Sequence, residues 1–78
     1  MRREERLEVF YEVRDILNNH AGLMTTPELC KHVSRWMLTE QMREVLHEAV
    51  DVGAMVKVPT PQGHSTGWML NPALRTNR

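Results

Sequence analysis

The sequence predicts an α+β fold in which three helices and a small antiparallel sheet are arranged around residues 39–58. Five apolar residues of this stretch recur at spacings of three and four and predict one buried helix face: Met42, Val45, Leu46, Ala49 and Val50. Gly53 follows, and glycine readily adopts the left-handed conformation in which helices commonly end. Residues 55–58 then alternate as in a half-buried strand, with Val56 and Val58 expected on the core side.

The first helix is predicted over residues 2–17. Five apolar residues share one of its faces, opposite most of its acidic residues: Val9, Phe10, Val13, Ile16 and Leu17. The asparagines at 18–19 and Gly22 are expected to end this helix. Leu23 and Met24 then form a short apolar segment that can pair with a later strand.

The second helix is predicted to start at Thr25 or Thr26. Pro27 suits the first helical turn, and Glu28 stands three residues after Thr25, where it completes a capping box. The residues expected to face inward are Leu29, Cys30 and Val33. Because the single cysteine, Cys30, lies on this face, it is expected to be a buried structural residue rather than a reactive thiol.

Residues 34–38 connect the second helix to the third. One of the side chains of Trp36, Met37 and Leu38 has to be partly buried to hold the two helices at an angle. The sequence leaves open which of the three it is. Thr39 is a favourable N-cap residue for the third helix.

A β-hairpin is predicted to follow the third helix. Its first strand covers residues 54–58, and the two prolines and two glycines of residues 59–67 exclude a helix and predict a loop. Trp68 and Leu70 are expected to share one face of the return strand.

One domain accounts for the length of the chain. Its 78 residues, 41% of them hydrophobic, suffice for one small core. The domain is predicted over residues 1–71, and residues 72–78, which begin with a proline, are expected to form a mobile tail. The predicted core consists of Val9, Phe10, Val13, Ile16, Leu17, Leu29, Val33, Met42, Val45, Leu46, Ala49, Val56, Trp68 and Leu70.

Charge is balanced over the whole chain but not along it. Ten basic residues match ten acidic ones, so net charge does not favour a nucleic-acid partner. Residues 39–52 contain one arginine against four acids, a net charge of −3, whereas residues 54–78 contain three basic residues and no acid. No apolar run approaches the roughly 20 residues that cross a membrane, and the arginine-rich start leads into a charged helix, so a cytoplasmic protein is expected.

The order of helix, short strand, helix, turn, helix and hairpin resembles the winged helix-turn-helix superfamily over about residues 7–71. The residues that carry the resemblance are Thr26 and Leu29, Thr39 with Val45 and Leu46, Gly53, and the return at Gly67 and Trp68. Such a domain commonly places its third helix in the major groove of DNA and its wing against the backbone or minor groove, although many members bind proteins instead.

The resemblance implies double-stranded DNA as partner and a role in regulating transcription or replication. Gln41 can hydrogen-bond adenine and Arg43 can hydrogen-bond guanine, whereas the other polar residues suit phosphate contacts. The residues expected to contact DNA are Lys31, Arg35, Thr39, Gln41, Arg43, His47, Lys57, His64, Ser65 and Thr66. The net negative charge of the third helix opposes this interpretation.

The same charge favours an alternative in which the third helix docks on a basic partner protein. The residues expected to carry that interaction are Trp36, Glu40, Glu44, Glu48 and Asp51. A simpler explanation is also open, in which these are surface side chains that pair along the helix, for example Arg43 with Glu40 or His47 with Asp51.

No catalytic residue, metal site or cofactor is predicted. Residues 47–51 resemble the zinc-protease pattern H-E-x-x-H, but Asp51 stands at the second histidine position and the remaining histidines are scattered. An enzyme is therefore not expected. The oligomeric state stays open, and the first helix and the tail are the segments available for a homodimer.

Overall fold

Helices and a three-stranded antiparallel sheet form an α+β domain, as predicted, in an arrangement consistent with a winged helix. The computed structural model describes residues 2–20, 22–59 and 66–75, apart from the side chains of residues 74 and 75. Its elements are α1 (Arg3–Asn19), β1 (Met24–Thr25), α2 (Thr26–His32), α3 (Thr39–Asp51), β2 (Met55–Pro59), β3 (Thr66–Leu70) and α4 (Pro72–Arg75). In the sheet, β3 lies between β1 and β2.

The first helix, α1, buries Val9, Val13 and Leu17 along one face. It continues two residues beyond its predicted end, through the asparagines at 18–19, because asparagine is a poor helix former but not a helix breaker. Gly22, with φ of 77°, lies in the turn that follows.

The start of α2 confirms the predicted signals. The Glu28 carboxylate accepts hydrogen bonds from the backbone N–H of Thr25 at 2.9 Å and from its hydroxyl at 3.2 Å. The backbone hydrogen bond from Thr25 also lowers the pKa of Glu28. Cys30 is only partly buried, so the expectation of a buried cysteine is wrong, although burial does raise the pKa of its thiol.

In the turn between α2 and α3, the buried residue is Met37. Trp36 is 83% exposed and Leu38 is 49% exposed, which decides among the three residues that the sequence left open. Leu38 occupies the N-cap position and Thr39 is the first residue of α3, so the predicted cap is displaced by one residue. The side-chain oxygen of Gln41 accepts the backbone N–H of Leu38 at 3.1 Å and satisfies this helix end.

Polar contacts tie this turn to α1. The backbone N–H and the hydroxyl of Ser34 both donate to the Glu12 carboxylate at 2.8 Å, and the Arg35 guanidinium pairs with Glu8 at 3.1 Å. The backbone hydrogen bond from Ser34 is the main reason that the pKa of Glu12 is lowered.

Replacing Glu12 by glutamine is therefore expected to lower the free energy of unfolding at pH 7 by about 1 kcal/mol, the usual net value of a hydrogen bond. A carboxyl whose pKa is lowered by folding stabilises the fold above its unfolded pKa, near 4.3, and this contribution disappears as pH falls through the folded pKa. Urea unfolding of wild type and variant at pH 7 and pH 3.5 should show the difference shrinking at acid pH. Glu4→Gln, at an exposed position of the same helix, is the control, and an equal loss in both variants would contradict the prediction.

The end of α3 confirms the role predicted for Gly53, which has φ of 82°. Its carbonyl accepts the Asn71 side-chain amide at 2.8 Å, so the helix end is tied to the residue after the hairpin. A Cβ added to Gly53 would have no atom within 4 Å.

Gly53→Ala is expected to destabilise the protein by about 1–2 kcal/mol through backbone strain alone, because nothing clashes with the methyl group. Gly53→Asn should lose less, since asparagine tolerates the left-handed region better. Denaturant unfolding of the two variants would measure this, and an alanine variant as stable as the wild type would show that the glycine conformation is not required.

The predicted orientation of the first hairpin strand is wrong by one residue. Met55 is 2% exposed and belongs to the core, whereas Val56 is half-buried. In the register of the sheet, Met55 lies opposite Leu70 and Lys57 lies opposite Trp68, so all four share the face that packs on the helices. Lys57 therefore points to the helix side of the sheet, where the sequence pattern placed the valines.

The remaining strand confirms that the segment after α1 pairs with a later strand. Met24 lies opposite Trp68 and Thr25 opposite Gly67. The buried Trp68 donates its Nε1–H to the Thr26 hydroxyl at 2.8 Å, which links β3 to the start of α2.

The buried core comprises Val9, Val13, Leu17, Met24, Leu29, Val33, Met37, Met42, Val45, Leu46, Ala49, Met55, Trp68 and Leu70. Phe10 and Ile16, also predicted for the core, pack against it and are partly buried. Residues 60–65 of the predicted wing loop lie outside the described part of the chain. Residues 72–75 form one helical turn, and the mobility expected for residues 72–78 stays a prediction.

Candidate nucleic-acid interface

The exposed side of α3 carries two parallel stripes of different charge. Thr39, Arg43 and His47 recur every four residues and form the stripe that faces the sheet. The neighbouring stripe on the helix contains Glu40, Glu44, Glu48 and Asp51. The two stripes are adjacent rather than separated, because Arg43 and His47 also line the surface groove that is lined by Glu40, Glu44, Glu48 and Asp51. Arg43 and His47 thus belong both to the acidic surface and to the side of the helix that faces the hairpin.

The first stripe forms one wall of a groove of about 430 Å³. Its walls come from three elements: Thr26 and Pro27 from α2, Thr39, Arg43 and His47 from α3, and Lys57, Thr66 and Trp68 from the hairpin. No carboxylate belongs to this described lining. The groove therefore combines two fixed cations, an imidazole and the accessible hydroxyls of Thr39 and Thr66, which are groups that bind phosphate oxygens. The Thr26 hydroxyl is buried and already bonded to Trp68.

Contacts with the core hold His47 on this side of the helix. Its ring meets the buried Trp68 ring edge-to-face, with centroids 5.3 Å apart and an interplanar angle of 89°. Trp68 is in turn fixed by its hydrogen bond to Thr26.

The cations of the groove have no ion-pair partner within the described residues. The ion pairs found there are Arg6 with Glu48, Arg14 with Asp15, and Arg35 with Glu8. The helix-surface pairs considered from the sequence, Arg43 with Glu40 and His47 with Asp51, are not formed. Arg43 and Lys57 are both exposed, so each can exchange water for a phosphate oxygen without first losing a carboxylate.

Other residues expected to contact DNA lie elsewhere or are already engaged. The Arg35 guanidinium pairs with Glu8 of α1, and the side-chain oxygen of Gln41 caps α3. Lys31 is exposed on the last turn of α2 and does not line the groove. Residues 64–65 of the predicted set lie outside the described residues.

Sequence reasoning missed Thr26, Pro27 and Trp68 as parts of this surface. The two residues of α2 were recognised only as helix-start signals, and Trp68 only as a core residue. The sequence did contain one signal for the two residues of α2. The start of α2 directly follows the segment predicted to pair with a later strand, and this pairing places the first turn of α2 against the hairpin.

The residues of the protein-docking alternative are also exposed. One of them, Glu48, forms an ion pair with Arg6 of α1 at 2.9 Å. Beyond Glu48, an apolar groove of about 250 Å³ runs between α1 and α3. Its exposed apolar residues are Leu7, Tyr11 and Val52. Trp36, the most exposed large apolar residue described, lines neither groove.

Comparisons with protein-family models, with curated proteins and with solved structures give no match to this chain. Within the described residues, no three or more histidine, cysteine or acidic side chains are grouped as metal ligands. No helix in the described ranges has the length and apolar character needed to span a membrane.

Proposed function

We propose that this protein is a small winged-helix regulator of transcription or replication that binds double-stranded DNA in the groove between α2, α3 and the hairpin. The supporting observation is the lining of this groove. Arg43, His47 and Lys57 meet there without a described carboxylate, although Arg43 and His47 also border the acids of α3. Positive groups concentrated on one surface attract the phosphate array even when the net charge is zero.

The groove suits the backbone of one DNA strand more than a set of base edges. Lys57 and the hydroxyls of Thr39 and Thr66 are phosphate-binding groups, whereas Arg43 is the groove residue best suited to guanine. With Gln41 engaged in capping α3, few base-reading groups remain among the described residues. We therefore propose that phosphate contacts supply most of the affinity.

Titration of a labelled random-sequence duplex at low and moderate salt tests this function. Each phosphate contact contributes about −0.9 to the slope of log affinity against log salt, so two or three groove cations should give a slope of about −2 to −3. Absence of binding at the lowest salt, or binding that salt does not weaken, would contradict the proposal.

Docking of a basic protein on the acidic stripe is the second candidate function. It is favoured by the exposure of Glu40, Glu44 and Asp51 without ion-pair partners among the described residues. In that case Glu44→Gln should weaken capture of the partner from host lysate and slow its association. An unchanged set of captured proteins would contradict this candidate.

A further inference from the structure

His47 is the residue that brings an imidazole side chain into the described lining of the groove. Arg43, one helical turn earlier, and Lys57, on the opposite wall, keep their charge near neutral pH. Imidazole is the side chain that titrates between about pH 5 and 8. Its contact with Trp68 holds the ring where a bound phosphate strand would pass.

The charged groups described around His47 come from two elements. They are Glu40, Arg43, Glu44, Glu48 and Asp51 on α3 and Lys57 on β2. The walls from α2 and β3 contribute the uncharged Thr26, Thr66 and Trp68. A DNA strand in the groove adds phosphate charge near the imidazole, and a nearby negative charge favours the imidazolium form.

We infer that DNA binding is coupled to proton uptake by His47, so that the groove holds duplex DNA more tightly as pH falls. This inference rests on the proposed function and adds its regulation. Linkage is reciprocal, so a ligand that favours the imidazolium binds more tightly when the imidazolium is already formed. With the imidazolium formed, the groove has a third cation in addition to Arg43 and Lys57.

Affinity for the random-sequence duplex, measured at constant salt at pH 6 and pH 8, tests the inference. One coupled proton changes affinity by at most tenfold per pH unit, and since imidazole titrates over part of this interval, the wild type should bind about tenfold more tightly at pH 6. The salt slope at pH 6 should also be steeper by about 0.9. His47→Gln should gain little affinity between pH 8 and pH 6, relative to its own affinity at pH 8.

Two further substitutions make the test specific to this side chain. His47→Lys carries a fixed charge, so its affinity at pH 8 should approach that of the wild type at pH 6 and depend little on pH. His32→Gln, on α2 and outside the described lining of the groove, is the control and should keep the pH dependence of the wild type. Circular dichroism at both pH values checks that each variant is folded.

The outcomes separate this inference from the function on which it rests. No duplex binding by the wild type at either pH would overturn the proposed function and the inference with it. Binding that Lys57→Gln weakens, but that does not change with pH, would overturn the inference alone. A pH dependence that persists in His47→Gln would also overturn it, because the coupled proton would then belong to another group.

Discussion

Replacing Leu46 by alanine is expected to lower the free energy of unfolding by about 2–5 kcal/mol. Leu46 is fully buried on the inward face of α3, between the groove stripe and the first helix. Its removal takes apolar surface out of the core and leaves a cavity that neighbouring side chains fill only in part. A domain of 78 residues has a total stability of about 4–12 kcal/mol, so this loss would leave little of the fold.

Thermal and urea unfolding measure this loss. Leu7→Ala on α1 is the matched control, because the same atoms are removed from a side chain that is 46% exposed. That variant should lose about 1 kcal/mol or less. A Leu46 variant that melts within a degree of the wild type would show that the core does not have the described packing.

Replacing Arg43 by alanine is expected to cost about 1–3 kcal/mol of affinity for a specific duplex. Arg43 is the only arginine that lines the described groove, and no carboxylate pairs with it within the described residues. Lys57→Ala should instead weaken binding to all sequences about equally and reduce the magnitude of the salt slope by about 1, as expected for a phosphate contact.

Two control substitutions locate the effect on the groove. Arg14→Ala removes the same side chain from α1, where Arg14 lies over the Tyr11 ring away from the groove, and should leave affinity nearly unchanged. Glu44→Gln removes a negative charge from the acidic stripe and should leave binding unchanged or slightly tighter. Equal losses for Arg43→Ala and Arg14→Ala would show that only total charge matters.

The sequence determined those features of the fold that depend on a few adjacent residues. The start of α2 was predicted because Thr25, Pro27 and Glu28 together form a pattern that is typical of helix starts. The end of α3 was predicted because Gly53 can adopt a conformation that is costly for other residues. Both are local signals, and both are confirmed.

The features that the sequence did not determine depend on contacts between distant segments. Met55 and Val56 are both apolar, so alternation could not decide which of them faces the core, and pairing with β3 decides it. The same reasoning applies to Met37, which is buried as part of the common core. The position of Lys57 on the groove side follows from the strand register and could not be predicted from its own neighbours.

Part of the candidate site was nevertheless accessible from the sequence. Thr39, Arg43 and His47 are four residues apart, and so are Glu40, Glu44 and Glu48, so two neighbouring stripes on α3 follow from helical geometry. The sum of their charges does not show which of the two stripes faces the hairpin. What the sequence could not supply was the third element, because the hairpin and the start of α2 complete the groove only in the folded chain.

Backbone amide chemical shifts, followed during titration with a short duplex, map the DNA-binding surface. If DNA binds in the groove, the largest changes occur at Thr26, Thr39, Arg43, His47, Lys57 and Thr66, on its three walls. Changes at Leu7, Tyr11 and Val52, on the other side of α3, should be small. Changes concentrated at those three residues, or along the acidic stripe, would contradict DNA binding in the groove.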